Sequence, residues 1–163
     1  MRSFCLSITA AFLATSCQTM PPTTGTAPTT SPQADTAAAT TTPDAALRNT
    51  RWVLRQLVGQ PVPPPTNAEP YVLLRQDAPN AEGNGSCNRF RGTYEQPADG
   101  QLRFGALLST KMVCASPNGN TTETNFLRTL ENTRTYRISG DTLRLFDEAS
   151  GQPAAVLHAV YLR

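Results

Sequence analysis

The sequence is poor in the residues that build most catalytic and metal sites. Its 163 residues contain one histidine, one lysine and one tryptophan. It has no glycine-rich phosphate loop, no nucleophile elbow and no metal-binding motif. The single histidine, His158, lies in a predicted strand without an acidic neighbour in sequence, which favours a structural role. We therefore expect no metal, no cofactor and no enzyme activity.

Clusters of basic residues are also missing. Fourteen lysines and arginines face twelve acidic residues, for a formal net charge of +2, and they are scattered singly along the chain. A nucleic-acid-binding protein would carry clustered basic residues with interleaved aromatic side chains. The sequence therefore predicts that the protein has no nucleic-acid partner.

The sequence has no hydrophobic run long enough for a permanent transmembrane helix. Its N-terminal run, from Phe4 to Ala14, follows the positive charge of Arg2. It is shorter than the roughly 20 residues that span a bilayer. A charged start followed by a short apolar run is typical of a secretion signal, which we predict over residues 1–16.

The end of this signal resembles the lipobox of bacterial lipoproteins. In that motif small residues precede a cysteine that is acylated and becomes the mature N-terminus, and here Cys17 follows Leu13-Ala14-Thr15-Ser16. The resemblance implies that Cys17 carries acyl chains that hold the protein on a membrane. Gln18, rather than an aspartate, follows the cysteine, which in such lipoproteins indicates the outer membrane, facing the periplasm. Plain secretory cleavage is the alternative.

The segment after Cys17 is almost entirely threonine, proline and alanine, with no large apolar residue after Met20. Such a segment buries too little surface to offset the conformational entropy that folding removes. We therefore predict that residues 17–46 consist of the acylated cysteine and a disordered tether. A glycosylated stalk rich in threonine and proline is the alternative.

Residues 47–163 are predicted to form one domain of short strands. Apolar and polar residues alternate in about eight segments, which are separated by glycine, proline, asparagine and aspartate. In the first segment Trp52 and Leu54 alternate with Arg51, Val53 and Arg55, so the two large apolar residues would face a core while the arginines face water. Leu57 falls out of this phase, which predicts a bulge or the end of the strand.

Two further segments complete this pattern. The proline-rich run at 61–65 predicts a loop at the sheet edge, because proline cannot donate a ladder hydrogen bond. Residues 107–114 are predicted to be extended, with Thr110, Met112 and Cys114 on one face if the strand is regular.

One helix is predicted, over about residues 121–132. Phe126, Leu127 and Leu130 make its apolar stripe, and Asn120 or Thr121 would cap its N-terminus. Glu123 lies where a capping box or the helix dipole favours an acid. About eight strands and one helix predict a mostly β fold, a small antiparallel β-barrel with one packed α-helix.

The chain has four cysteines. Cys5 lies in the signal and Cys17 would carry the lipid, which leaves Cys87 and Cys114 in an oxidising compartment. We predict that these two form one disulfide. A metal site with His158 would need more ligands, and a redox-active pair would need closer spacing, so both alternatives are less favoured.

A spaced set of residues surrounds these cysteines. Trp52-x-Leu54 precedes the set, and the helix and Leu143-x-Leu145 follow it. The set consists of Gly85, Cys87, Asn88, Phe90, Gly92, Tyr94, Thr110, Met112 and Cys114. In order and spacing it resembles the META domain, a family that includes the HslJ-like envelope lipoproteins, over about residues 49–163. Ser86 is a departure, because the usual signature reads Gly-Cys-Asn.

The resemblance implies a calycin-like barrel in the bacterial cell envelope. It implies a non-enzymatic protein that supports envelope integrity, or tolerance of heat or antibiotics, by binding an envelope protein or a small ligand. One alternative is a carrier of a small apolar molecule, lined by Trp52, Tyr71 and Tyr136. Another is a periplasmic protease inhibitor that projects the loop at 61–70.

The signature residues themselves favour a structural role. Asn88 would cap a sharp turn, and Phe90 and Tyr94 would cover the disulfide. The functional alternative is an exposed rim that contacts a partner, with Asn88, Arg89 and Arg91.

Overall fold

The structure is a computed structural model of the chain and describes residues 43–65, 68–115, 117–148 and 151–161. The predicted signal at 1–16, the predicted lipid site at Cys17 and the tether up to residue 42 lie outside the described residues. Within the described part, no helix combines the length and the apolar character needed to cross a membrane.

Ten antiparallel strands and one helix make up the regular structure of the described residues. Eight strands follow one another in the order β6-β5-β4-β3-β1-β10-β9-β8, and the short β2 and β7 pair with β1 and β5. The strands are β1 (Arg51–Leu57), β2 (Gln60–Pro61), β3 (Tyr71–Leu74), β4 (Asn80–Asn84), β5 (Arg89–Glu95), β6 (Arg103–Phe104), β7 (Leu108–Ser109), β8 (Thr135–Ser139), β9 (Thr142–Phe146) and β10 (Ala155–Val160). The helix, α1, spans Pro117–Asn132.

The two ends of the eight-strand path meet, so the sheet is a nearly closed barrel. Thr135 in β8 bridges to Gln101, just before β6. On either side of this bridge, the Leu102 N–H donates to the Arg134 carbonyl at 3.0 Å and the Tyr136 N–H donates to the Gly100 carbonyl at 2.9 Å. The predicted fold, a small antiparallel barrel of about eight strands with one helix, is confirmed.

The barrel interior is filled by the protein's own apolar side chains. Trp52 is fully buried, and its indole N–H donates to the Leu47 carbonyl at 2.9 Å. The helix adds Phe126 and Leu130, which are also fully buried. Leu143, Leu145 and Leu157 contribute the facing side of the same core, as close packing of a small barrel requires. Packing begins at Ala45, which is buried in this core, two residues before the predicted domain start at 47.

The helix begins earlier than the sequence suggested. The expected start near residue 121, with Asn120 or Thr121 as its cap, is wrong, because α1 already begins at Pro117. Proline suits the first helical position, where its missing N–H would have no partner in any case. The predicted apolar stripe is confirmed by the burial of Phe126 and Leu130.

Strand β1 carries the bulge that the sequence indicated, since its register with β10 shifts between Leu54 and Gln56. Val53, which alternates with Trp52 and Leu54, is also fully buried. The Arg51 guanidinium stacks 4.1 Å from the ring centre of Tyr71, the cross-strand partner of Val53. Long side chains therefore enclose Val53 on the outer face of the sheet.

The two irregular segments also differ from expectation. Pro61 pairs opposite Gln56 in β2, and the Val62 N–H donates to the Arg55 carbonyl at 2.9 Å, so the proline run starts inside an edge strand. Proline is tolerated there because its N–H is not needed at an edge. Of the predicted strand at 107–114, only Leu108–Ser109 is regular. Beyond β7 the Thr110 N–H still donates to the Arg89 carbonyl at 3.0 Å, and side chains hold the rest.

Candidate functional site

The turn at residues 84–88 joins β4 to β5. The Ser86 N–H donates to Asn84 Oδ1 at 2.8 Å, and the Gly85 N–H donates to the Asn88 carbonyl at 2.8 Å. Ser86 adopts a φ of 130°, which favours glycine. This residue, which separates Gly85 from Cys87 in the signature, therefore sits in a strained conformation that the surrounding bonds maintain.

Glu123 of α1 reaches across to this turn. Its Oε2 accepts hydrogen bonds from the Asn88 N–H at 2.7 Å and the Cys87 N–H at 3.3 Å. Its Oε1 accepts from the Ser109 hydroxyl at 3.1 Å. A Cβ on Gly85 would lie 2.5 Å from Glu123 Cγ, so only glycine permits this approach. One carboxylate thereby joins the helix, the turn and β7.

Asn88 takes the place of a strand in pairing with residues 110–112. Its Oδ1 accepts from the Met112 N–H at 2.7 Å and the Thr110 hydroxyl at 2.9 Å, and its Nδ2 donates to the Met112 carbonyl at 3.4 Å. The side chain amide thus imitates the donor and acceptor of a backbone ladder. Asn88 is only 4% exposed, so it supports the rim from beneath and is not part of its surface.

A disulfide joins Cys87 to Cys114, which confirms the predicted pairing. The two residues are 27 positions apart in sequence, and their Cα atoms are 5.6 Å apart. The bond therefore ties the end of residues 108–114, which we call the pinned segment, to the same turn that Asn88 and Glu123 hold.

The aromatic signature residues belong to the barrel core. Phe90 meets Phe126 edge to face, with ring centres 6.2 Å apart. The Tyr94 hydroxyl donates to the Arg75 carbonyl at 2.6 Å. Gly92 lets β5 pass close to its neighbour, because a Cβ there would lie 2.6 Å from the Ala106 carbonyl oxygen. These three residues fix the position of β5, from which the rim arises.

The pinned segment displays apolar side chains to solvent. Leu108 is 67% exposed, Met112 61% and Val113 97%, and they are three of the five large apolar residues exposed in the described chain. Leu108 lies opposite Arg91 across the β5–β7 pair. A groove of about 620 Å³ opens beside this pair, lined by Leu108, Arg89, Arg91 and Tyr71 among others.

Three cations lie in the pinned segment or on the part of β5 beside it. Arg89, Arg91 and Lys111 are exposed, and none forms an ion pair within the described residues. By contrast, Arg75, just after β3, pairs with Glu82 at 3.1 Å. We call Arg89, Arg91, Lys111 and the exposed side chains of the pinned segment the rim.

The three residues suggested to line a ligand cavity do not share one. Trp52 has no exposed surface, and Tyr71 lies under Arg51 on the outer face. Tyr136 lies where the barrel closes, and its hydroxyl donates to Asp99 Oδ1 at 3.2 Å. Burial, followed by this bond to a carboxylate, raises the pKa of Tyr136 above its usual value.

The described residues contain no group of three or more histidine, cysteine, aspartate or glutamate side chains arranged to hold a metal ion. His158 is exposed on β10, opposite Val53. The side chains that converge at the rim offer cationic and apolar contacts.

The sequence located the turn, the disulfide and Arg89 and Arg91. It assigned Glu123 to the start of the helix, and neither the contact of Glu123 with the turn nor the exposed apolar residues of the pinned segment were predicted. Glu123 is distant from the turn in sequence and shares no periodic pattern with it. The exposure of Val113 could not be predicted from the sequence, because the apolar pair before Cys114 is also typical of a buried strand.

Comparisons with known proteins agree with this fold. The META domain profile matches residues 45–160. Among solved structures, an NMR structure of a protein from Burkholderia xenovorans is 24% identical, with a TM-score of 0.59, and covers 71% of this chain and 85% of its own. A second NMR structure is 23% identical, with a TM-score of 0.54, covering 68% of this chain and 89% of its own. A search of curated proteins found no match. The family profile spans most of the chain and includes the turn, the disulfide and the helix, so the protein belongs to the META domain family.

Proposed function

We propose that the protein is a lipid-anchored, non-enzymatic envelope protein whose META domain binds an envelope component through the rim. In this role it supports envelope integrity under heat or antibiotic stress. The observation that carries the proposal is the pinned segment, which presents Leu108, Met112 and Val113 to solvent while the Cys87–Cys114 disulfide holds its end.

The hydrogen bonds beneath the rim support a binding role. Exposed apolar side chains gain free energy when a partner covers them. Asn88 and Glu123 restrain the backbone around them through bonds of 2.7 Å to the Met112 and Asn88 amides. A restrained surface loses less conformational entropy on binding than a mobile one. The fold thus maintains an apolar surface that stability alone does not require.

The envelope location is supported by the sequence and by the disulfide. The predicted signal at 1–16 and the lipobox-like cysteine at 17 favour export and lipid attachment. The Cys87–Cys114 bond suits an oxidising compartment.

The packed interior argues against a carrier of apolar molecules. A carrier needs a hollow barrel, whereas Trp52, Phe126 and Leu145 fill this one and are fully buried. The proposed inhibitory loop at 61–70 includes residues 66–67, outside the described chain. In its described part, Glu69 pairs with Arg55 of β1 at 3.2 Å, so this end of the loop contacts the sheet.

Site-specific photocrosslinking in intact cells tests the binding role. A photoreactive amino acid at Val113 should form a covalent adduct with an envelope component. The matched position is Tyr161, which is 61% exposed and lies just after β10. No adduct at Val113, or the same adducts at both positions, would contradict binding through the rim.

Membrane fractionation tests the lipid anchor separately. Cys17→Ala removes the only cysteine that the lipobox resemblance identifies as acylated, so the variant should lose its lipid label and leave the outer-membrane fraction. Retention there in an amount equal to the parent protein would contradict the proposed anchor.

A further inference from the structure

We infer that the rim docks on an anionic phospholipid surface, so that the domain contacts the membrane in a fixed orientation through a second site besides its lipid. This inference rests on the proposed lipid anchor and names the component that the rim binds. The observation that supports it is the combination of exposed apolar side chains with cations that form no ion pair within the described residues.

The apolar part of the rim suits the interfacial layer of a bilayer. Peripheral membrane sites place apolar side chains between lipid headgroups and keep their polar groups in water. Val113 is 97% exposed and Met112 61%, and the two residues directly follow Lys111 in the order Met112, Val113. The Met112 amide and carbonyl are bonded to Asn88, so the backbone here carries fewer unsatisfied groups into the interface.

The cations of the rim suit lipid phosphates. Arg89 and Arg91 project from alternate positions of β5 beside the 620 Å³ groove, and both are exposed. A guanidinium donates two parallel hydrogen bonds to a phosphate. The neighbouring hydroxyls are already engaged, with Thr110 donating to Asn88 Oδ1 and Ser109 donating to Glu123. The guanidinium groups, together with the Lys111 ammonium of the rim, are therefore available to donate to an anion. Glu82, also at the groove, is occupied by Arg75.

The chain between the lipid site and the domain is long enough to allow this orientation. Cys17 precedes Pro43, the first described residue, by 26 positions. A chain of that length extends to at most about 90 Å. A domain of this size is only about 35 Å across. Any face of the domain can thus reach the leaflet that holds the lipid.

The test uses the full lipidated protein in vesicles and a tryptophan introduced by Val113→Trp. The native Trp52 is fully buried in the barrel, so its emission reports on folding and stays constant. Vesicles contain either phosphatidylglycerol with phosphatidylcholine, or phosphatidylcholine alone, each with brominated acyl chains that quench an indole in the interface. Tyr161→Trp is the matched control, and flotation with the vesicles verifies the lipid anchor.

The expected result is quenching of the indole at position 113 in anionic vesicles, with little quenching in phosphatidylcholine and little for Tyr161→Trp. A cation near an anionic surface contributes about fivefold in affinity. Adding Arg89→Gln and Arg91→Gln to Val113→Trp should therefore lower the ratio of docked to undocked protein about 30-fold.

Three results would overturn the docking inference. They are equal quenching at positions 113 and 161, equal quenching in both lipid mixtures, or no change with the arginine substitutions. Each of these would leave the anchor intact if the protein still floats with the vesicles. Loss of flotation in the parent protein would instead contradict the proposed lipid anchor.

Discussion

Two regions of the barrel are stabilised by different kinds of interaction. Strands β8 and β9 pair over their full length, from Thr135 opposite Phe146 to Ser139 opposite Thr142. Gly140, with a φ of 56°, closes the hairpin. The pinned segment, by contrast, contains a strand of only two residues, β7. Beyond Thr110 it is held by Asn88 and a disulfide, and Glu123 holds the turn to which the disulfide ties it.

This difference separates a region built on backbone ladders from one built on individual side chains. The β8–β9 hairpin is stabilised by many equivalent backbone hydrogen bonds, and substitution of an exposed side chain removes none of them. In the pinned segment, single side chains satisfy several backbone groups each. We therefore expect substitutions at the turn to release the pinned segment while the hairpin keeps its structure.

Removal of the disulfide should have the largest effect. With Cys87→Ala and Cys114→Ala together, the unfolded chain regains the entropy of a closed loop, and the free energy of unfolding should fall by about 3–4 kcal/mol. Urea unfolding measures this change. Amides of β8 and β9 should remain better protected from exchange than those of the pinned segment. A greater loss of protection in β8 and β9 than in the pinned segment would contradict the comparison.

Asn88→Ala should follow, with a loss of about 2–3 kcal/mol, because the Met112 N–H and the Thr110 hydroxyl lose the acceptor that the buried Asn88 side chain provides. The matched control is Asn125→Ala on the exposed face of α1, which should change stability by less than about 0.5 kcal/mol. Both values come from denaturant unfolding. Equal effects at the two positions would show that Asn88 does not replace a strand.

Glu123→Gln should cost about 1–2 kcal/mol, since a neutral amide oxygen accepts the Asn88 and Cys87 N–H groups more weakly than a carboxylate. Glu148→Gln is the control, because Glu148 is largely exposed and its one ion pair within the described residues is with Arg134 at 3.4 Å. It should be close to neutral. A larger loss at Glu148 than at Glu123 would contradict the role assigned to the helix carboxylate.

Ser86→Gly should give the smallest change and the opposite sign. Glycine adopts the φ of 130° without strain, so the substitution should stabilise the protein by up to about 1 kcal/mol. Thermal unfolding is sensitive enough to detect it. Ser86→Ala, which keeps the strain, should not stabilise the protein, and stabilisation by alanine equal to that by glycine would rule out this explanation.

The two regions also differ in how far the sequence predicts them. Alternation at Leu143 and Leu145 predicted β9 because each buried residue there follows a period of two. The same reasoning extended residues 107–114 as a strand, since Thr110, Met112 and Cys114 also alternate. Sequence patterns report burial periodicity, but they do not show that Asn88, over 20 residues away, supplies the pairing partner. The disulfide was predictable because the oxidising compartment and the number of cysteines left one pairing. The contact of Glu123 with the turn was not predictable, because it depends on the close approach of helix and turn that Gly85 allows in three dimensions.

The central claim is that side chains, rather than a neighbouring strand, hold the backbone of the pinned segment while its apolar side chains stay exposed. Amide hydrogen exchange of the full chain tests this most directly. The Met112 N–H is bonded to Asn88 Oδ1 at 2.7 Å, whereas the neighbouring Val113 N–H has no hydrogen bond within the described residues. We predict that Met112 exchanges on the order of 100-fold more slowly than Val113 after correction for intrinsic rates. Equal and rapid exchange at both positions would contradict the account.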